Sequence, residues 1–258
     1  DAAASDFVSG SQGTVVSTDV TSNKMVIEGG NWAAGSTVSR EAVTGGDNTV
    51  DSPTSYGTDT GIGNQVRGNY ATLNPLDSNI GSNLTNGNLD AAGSSNWATG
   101  HARGTFKLTS GKWYWEVTRT GGAGSTAQIG VCNKAFNMTN DYSSLPADSW
   151  TFFFDNGTEI LLPSGGGGDY FGGSAMGIGD VAGIALDMDA GTIVFYKNGT
   201  AGTTISLSAT KTSSTNNITE LFPLAGVYNT NVSFNFGQTP FQHTAPLGFK
   251  CLVDTNLM

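Results

Sequence analysis

Pairs of strand-like runs separated by tight turns recur along this 258-residue chain. Apolar runs at 150–154 and 158–162 flank Asp155-Asn156-Gly157. Asn-Gly between such runs is a strong hairpin signal because both residues tolerate positive φ. The same arrangement recurs at 181–188 with 192–197 and at 221–228 with 231–236. Helical spacing of apolar residues is not sustained anywhere, so the pattern predicts an all-β chain folded as an antiparallel two-sheet β-sandwich.

The run at 112–117 shows which side chains the sandwich would bury. Alternation along a strand puts Trp113, Trp115 and Val117 on one face, and Tyr114 and Glu116 on the other. This pattern predicts a half-buried strand with its tryptophan face in the core. The predicted core consists of large apolar residues in four of the runs, namely Trp113, Trp115, Val117, Ile184, Leu186, Phe195, Phe234 and Phe236.

Composition limits the kinds of partner. Only 12% of residues are charged, the net charge is −10, and there are 11 Lys plus Arg, so no basic stripe is expected to hold nucleic acid. No apolar run reaches the roughly 18 residues that crossing a bilayer requires, so no membrane insertion is expected. Cys132 and Cys251 are too few for a disulfide framework and lack metal-ligand spacing. We expect two free thiols, with a bridge as the open alternative.

The first 67 residues differ from the rest. Short runs rich in Val, Thr and Ile at 13–19 and 24–28 predict a small β element, and a Gly-, Ser- and Thr-rich linker follows to residue 67. That linker has too little apolar content to form a core alone. The predicted organisation is therefore a β-rich N-terminal extension at 1–67 and a β-sandwich with flanking segments at 68–258.

Three segments resemble the SPRY (B30.2-type) family. They are Ser-Gly-Lys-Trp-Tyr-Trp-Glu-Val at 110–117, the hairpin at 179–199 that ends in Phe-Tyr-Lys-Asn-Gly, and Leu-Phe-Pro-Leu at 221–224 followed by Asn-Phe-Gly at 235–237. The resemblance spans about residues 95–241. It implies a bent, concanavalin-like jelly-roll sandwich that binds other proteins through surface loops and is not a catalyst.

A second resemblance concerns the segments that frame this region. Residues 51–54, 69–76 and 248–252 are similar to segments framing SPRY modules in tail-fibre and other structural proteins of aquatic bacteriophages. This resemblance implies an extracellular virion component, expected as a homo-oligomer, that contacts other virion or surface proteins or a host receptor of protein or glycan. The alternatives are a bacterial surface adhesin or secreted binding module, and a carbohydrate-active enzyme.

Catalytic signatures are missing from the sequence. His101 and His243 are the only histidines, and no Gly-x-Ser-x-Gly elbow accompanies them. A glycosidase needs two neighbouring carboxylates, but Thr118 stands two residues after Glu116, where an alternating partner would be. No catalytic residue and no cofactor is therefore predicted, and Glu116 is interpreted as a paired structural carboxylate.

Asp187 and Asp189 alternate around a hairpin turn. Asp is favoured in turns because its carboxylate accepts backbone hydrogen bonds. The pattern Asp-x-Asp-x-Gly at 187–191 also resembles half of a calcium loop, although the closing Glu of an EF-hand is missing. We expect the turn role, with calcium as the alternative and no other metal.

Two loops are candidates for a binding surface. The Gly-rich stretch at 164–173 carries Asp169, Tyr170 and Phe171, and the loop at 141–146 carries Tyr142 and Leu145. Aromatic side chains on loops give a large contact area at a low entropic cost. The alternative is that both rings of the Gly-rich loop pack back onto the sandwich.

Overall fold

The computed structural model describes two compact units, Asp1–Ser52 and Pro53–Met258. The described residues are 14–19, 24–28, 37–39, 68–80, 83–93, 100–122, 126–139, 148–154, 160–161, 175–207 and 218–257. No helix among them is long and apolar enough to cross a membrane. The predicted division after residue 67 stays a prediction.

The first unit contains a three-stranded antiparallel sheet among its described residues. Its strands are β1 (Thr14–Asp19), β2 (Lys24–Glu28) and β3 (Thr37–Ser39), in that order across the sheet. The pairing of β1 with β2 follows the sequence prediction. The third strand was not predicted, because a three-residue run is too short to show a period.

The second unit is built from two antiparallel sheets, which confirms the predicted all-β sandwich. In chain order its strands are β4 Leu73–Ser78, β5 Leu84–Thr85, β6 Asp90–Ala92, β7 His101–Gly104, β8 Lys112–Gly121, β9 Thr126–Cys132, β10 Ser149–Phe153, β11 Ile160–Leu161, β12 Val181–Asp187, β13 Thr192–Lys197, β14 Thr200–Ala201, β15 Ile205–Ser206, β16 Phe222–Tyr228 and β17 Asn231–Asn235. A 3-10 helix, Asp254–Asn256, follows them.

The strand order fixes which residues face each other. Among the described residues, sheet I runs β11-β10-β9-β16-β7-β4. Sheet II runs β14-β13-β12-β8-β17-β6-β5, with β15 paired to β13. The predicted hairpin partners β10 and β11 pair, as do β12 and β13. Long antiparallel strands β8 and β12 therefore lie at the centre of sheet II.

The core fills the space between the two sheets. All eight predicted core side chains are buried in one cluster, and the most exposed of them, Trp113, has 4% of its surface accessible. Phe152 of β10 stacks on Phe195 of β13 with ring centroids 5.7 Å apart. Because these strands belong to different sheets, the stack joins the two layers directly. Stacked aromatic pairs of this kind add to the free energy gained from area burial.

The turn between β16 and β17 corrects one prediction. These two runs look like another hairpin, but β16 pairs with β7 and β9 in sheet I, whereas β17 pairs with β6 and β8 in sheet II. The turn at Asn229, which has φ of 48°, carries the chain from one sheet to the other. Both edges of β16 are already occupied, so β17 has no edge of β16 left to join.

Strand β8 corrects a second prediction. It was expected to be half-buried, but Tyr114 and Glu116, on the face away from the tryptophans, are each only 1% exposed. Residues 241–250, which we call the cover segment, lie over that face. The Phe241 ring packs edge-on against Tyr114 at 5.0 Å, and Phe249 packs in the same cluster. A chain segment distant in sequence thus gives β8 a second buried side.

The first and last described segments of the second unit are hydrogen-bonded to each other. The amide N–H of Ala71 donates to the carbonyl of Leu252 at 2.9 Å, and the side-chain amide of Asn69 donates to Asp254 at 2.9 Å. The backbone N–H of Asp254 in turn donates to the carbonyl of Asn69. These bonds hold the start of the described sandwich against its last turn.

Candidate binding groove

The two aspartates that were considered as calcium ligands, Asp187 and Asp189, connect the β12–β13 hairpin to the start of β8. Asp187 accepts a hydrogen bond from the Ala190 N–H at 2.8 Å and lies 3.0 Å from the Lys112 ammonium. Asp189 accepts the Gly111 N–H at 2.8 Å. Burial raises the pKa of Asp187, but the Ala190 N–H and the Lys112 charge outweigh it, so the pKa lies below its ordinary value. The two aspartates therefore fix the β12–β13 turn against the start of β8.

Metal binding finds no support among the described residues. No group of three or more His, Cys, Asp or Glu in that part of the chain is arranged to hold an ion. Lys112 beside Asp187 also supplies the positive charge that a calcium ion would otherwise provide. Asp187 is therefore paired with a positive charge of the protein itself.

Asn198, in the Lys-Asn-Gly turn, locks the other end of β12. Its Oδ1 accepts the Val181 N–H at 2.8 Å, and its Nδ2 donates to Asp180 at 2.9 Å. Asp180 also accepts the Gly177 N–H. Burial raises the pKa of Asp180, yet these hydrogen bonds outweigh it and hold the pKa below the ordinary value. The motif residues thus have structural roles that explain their spacing.

Glu116 is the buried acid on which the candidate site is built. Its Oε2 accepts the backbone N–H of Gln242 at 2.7 Å, and its Oε1 accepts the N–H of His243 at 2.8 Å. The Tyr114 hydroxyl donates to Oε1 as well, at 3.1 Å. Both carboxylate oxygens are therefore occupied by donors of the protein itself. Glu116 anchors the cover segment rather than presenting a free acid for catalysis.

A groove of about 320 Å³ opens beside this anchor. Strands β8 and β17 form its floor, the β5–β6 turn forms one wall, and the chain from residue 235 to 242 forms the other. Its described lining consists mainly of amides, hydroxyls and a few apolar side chains, namely Asn86, Leu89, Glu116, Thr118, Ser233, Phe234, Asn235, Gln238, Thr239, Pro240 and Gln242.

Internal hydrogen bonds hold the 235–242 wall in shape. Asn235 donates to the Pro240 carbonyl at 3.2 Å and accepts the Gly237 N–H at 3.0 Å. Gln238 accepts the Phe236 N–H at 2.8 Å and donates to the Phe234 carbonyl at 3.0 Å. The wall is therefore preformed, and it does not have to be ordered by a ligand.

The electrostatic character of the groove is neutral and polar. Among the described lining residues Glu116 alone carries a charge, and its oxygens are already hydrogen-bonded. Asn86, Thr239 and Gln242 are exposed at the rim. Amides and hydroxyls both donate and accept hydrogen bonds, so the rim can pair with a polar, uncharged segment of a partner.

A second polar cluster lies on the outer face of sheet I. The Arg103 guanidinium, which is 6% exposed, is paired with Asp77 and donates to the carbonyls of Asn133 and Phe136. Burial raises the pKa of the neighbouring Cys132 thiol to about 12. These contacts fasten the chain that follows β9 to the sheet.

The predicted binding loops cannot be placed on this surface. Tyr142, Leu145, Asp169, Tyr170 and Phe171 all lie outside the described residues. Their role as contact residues stays a prediction.

Sequence reasoning missed the groove and the cover segment. One available signal was Glu116 itself, an acid between the apolar residues Trp115 and Val117, which needs donors if it is buried. The other was the amide-rich stretch from Asn235, the last residue of β17, to Gln242. Neither signal names its partner, because the hydrogen-bonded residues are more than 100 positions apart.

Comparisons with known proteins find one matching family and several similar solved structures. Residues 112–239 match the model of the SPRY domain family. The SPRY domain of human HERC1 is a similar solved structure, with 19% identity, a TM-score of 0.46, and coverage of 66% of this chain and 98% of that one. The TRIM65 PSpry domain is another, with 14% identity, a TM-score of 0.48, and coverage of 65% and 90%. A search of curated proteins finds no match.

Proposed function

Because residues 112–239 match the SPRY domain family, we propose that this chain recognises another protein through the groove beside Glu116. SPRY domains are typically protein-interaction modules and are usually not catalytic. The observation that carries the proposal is the preformed groove of about 320 Å³. The 235–242 wall is held by its own hydrogen bonds, so little conformational entropy of that wall is lost when a partner binds.

The lining of the groove favours a neutral polar peptide segment. Phe234, the aromatic residue of the described lining, is 2% exposed and offers no open ring face on which a sugar could stack. Glu116 is occupied by the N–H groups of Gln242 and His243, so it does not attract a basic side chain strongly. Peptide groups and the side chains of Ser, Thr, Asn and Gln complement the amides at the rim.

The proposed setting is a virion. The chain would be a non-catalytic structural protein of a bacteriophage fibre, appendage or surface, and its SPRY domain would contact the host surface or an adjacent subunit. The support is the likeness of the framing segments at 51–54, 69–76 and 248–252 to those of tail-fibre proteins.

A homo-oligomer is part of this proposal. The 37 glycines, the low charge content and the sparsely apolar linker suit a subunit that gains stability from its neighbours. Sedimentation of the purified chain by analytical ultracentrifugation tests this directly. A stable monomer at micromolar concentration would overturn it.

Site-specific photo-crosslinking tests the groove. A photoreactive amino acid replaces Thr239, which is exposed at the groove rim. The substituted chain is crosslinked within the native particle or on the native surface to which it belongs. The matched control replaces Ala190, which is exposed in the β12–β13 turn and does not line the groove. We expect Thr239 to give one discrete crosslinked protein that Ala190 does not give.

Blocking variants then connect the contact with binding. Thr239→Trp fills the rim and should abolish the association with the crosslinked protein, whereas Ala190→Trp should leave it unchanged. Equal crosslinking from both positions would overturn the groove as the site. Identification of the crosslinked protein as a virion subunit or host-surface protein supports the virion setting, and a cytosolic protein of the source cell contradicts it.

A further inference from the structure

Two Asn-Gly pairs lie in described turns of sheet II, and their surroundings differ. Asn86-Gly87 lies between β5 and β6, and Asn198-Gly199 lies between β13 and β14. The two asparagines have similar φ angles, 52° and 48°. They differ in what their side chains contact.

The chemistry at an Asn-Gly pair is intramolecular. The backbone nitrogen of the glycine attacks the side-chain amide carbon of the asparagine, because glycine has no side chain to obstruct the approach. A carbon–nitrogen bond forms, ammonia leaves, and a five-membered succinimide results. Water then opens the ring at either carbonyl and gives aspartate or isoaspartate. Overall one water is consumed and one ammonia is released, with no oxidant, reductant or enzyme.

The Asn86 pair is open to this reaction. Asn86 and Gly87 are both exposed, and a Cβ placed on Gly87 would have nothing within 4 Å. Among the described residues, no hydrogen bond engages the side chain of Asn86 or the N–H of Gly87. No hydrogen bond has to break before the Asn86 side chain turns toward the Gly87 nitrogen.

The Asn198 pair is held away from the same reaction. Its Oδ1 accepts the Val181 N–H at 2.8 Å, and its Nδ2 donates to Asp180 at 2.9 Å. The His243 ring also lies close over Gly199, since a Cβ on that glycine would come within 2.8 Å of Nδ1. The amide must leave both partners before its carbon can meet the glycine nitrogen.

We propose that Asn86 is a site of spontaneous deamidation in the folded protein, and that the fold protects Asn198. Breaking the two side-chain hydrogen bonds slows the reaction at Asn198 by roughly tenfold or more. Asn86 lines the groove, so its conversion adds a carboxylate to a rim that is otherwise neutral. Protein aged in this way would bind its neutral polar partner segment less well, because the new carboxylate must be desolvated without a countercharge in the groove. This consequence rests on the proposed function, whereas the modification itself does not.

The test follows both sites in one molecule. The intact chain is aged in mildly alkaline buffer, digested, and examined by mass spectrometry with fragmentation that separates aspartate from isoaspartate. We expect both products at Asn86 to form roughly tenfold or more faster than at Asn198. Equal rates, or faster conversion of Asn198, in the folded chain would overturn the proposal.

Two comparisons make the test specific. In a chain unfolded by urea the deamidation rates of Asn86 and Asn198 should converge, because a glycine follows each asparagine. If Asn198 still reacts slowly in the unfolded chain, the fold is not what protects it. The variant Asn86→Gln should lose the product at that position and keep the slow rate at Asn198. The assay uses no partner, so a negative result in the crosslinking experiment on the groove does not affect it.

Discussion

The Oε2 atom of Glu116 accepts the backbone N–H of Gln242 at 2.7 Å, although the two residues are 126 positions apart. The N–H of His243 and the Tyr114 hydroxyl complete the set of donors. Hydrogen bonds to a carboxylate are roughly twice as strong as those between neutral groups. This buried acid therefore fastens the cover segment onto sheet II and sets the position of the groove beside it.

Removing the charge of Glu116 should destabilise the protein. In Glu116→Gln one carboxylate oxygen becomes an NH₂ group that faces an N–H donor, so at least one buried donor loses its acceptor. We expect a loss of about 2–3 kcal/mol in the free energy of unfolding. Equilibrium unfolding in urea measures it.

Glu220→Gln is the matched control for this substitution. Glu220 approaches Lys107 at 3.6 Å, and the lysine side chain is 55% exposed. Exposed ion pairs contribute about 0–1 kcal/mol, so this variant should unfold nearly as the wild type does. Equal effects of the two substitutions would mean that Glu116 does not anchor the cover segment.

Trp115 should be indispensable to the core. It is fully buried in the cluster between the sheets, and Trp115→Ala would leave a large cavity there. Such substitutions cost about 3–5 kcal/mol. Thermal unfolding followed by near-ultraviolet circular dichroism should show a much lower melting temperature. Leu247→Ala, at a fully exposed apolar side chain, should leave the melting temperature unchanged.

The two cysteines should be inert in the folded protein. Cys132 and Cys251 are buried thiols outside any disulfide, and burial raises the pKa of Cys132 to about 12, so almost no thiolate forms there at neutral pH. A thiol-reactive dye should label neither residue until the chain is unfolded, and then it should label both. Rapid labelling of the native protein, or only partial labelling after unfolding without reductant, would contradict the structure.

Much of the sandwich could be predicted because its strands carry local signals. The hairpin at 181–197 places its strands within one residue of the observed bounds, and the alternation around Trp115 places the start of β8 correctly but ends it four residues early. The β16–β17 connection was wrongly predicted to be a hairpin. The sequence of a turn looks the same whether the turn joins adjacent strands of one sheet or carries the chain from one sheet to the other. Pairing is decided by which strand edges are already occupied, and that depends on the whole chain.

The candidate site could be predicted much less well. Sequence reasoning recognised Glu116 as structural but could not find its donors, since Gln242 and His243 contribute backbone groups that every residue has. Asn86 and Thr239 line the same groove only because β17, β6 and β5 follow one another across sheet II. The binding surface was predicted on loops that carry aromatic residues, such as Tyr170. The groove is instead lined mainly by amides, which form no distinctive pattern in the sequence.

Stability should fall in alkali, and Tyr114 should be a principal cause. Burial raises the pKa of Tyr114 above its ordinary value near 10, and the neighbouring Glu116 carboxylate raises it further. Above about pH 10 the unfolded chain therefore loses a proton that the folded chain retains, and the free energy of unfolding decreases as pH rises. The stabilisation is fully present below that pH. It is lost progressively as the pH approaches the raised pKa of the folded state.

Tyr114→Phe should separate this effect from the loss of the hydroxyl. At neutral pH the variant loses one hydrogen bond to Glu116, worth about 1 kcal/mol, while the Gln242 and His243 donors remain. Above about pH 10 its free energy of unfolding should fall less steeply than that of the wild type. Tyr196, whose pKa burial also raises, retains part of the slope. Urea unfolding across the alkaline range measures both quantities, and identical slopes for the two proteins would show that Tyr114 ionises freely in the folded state.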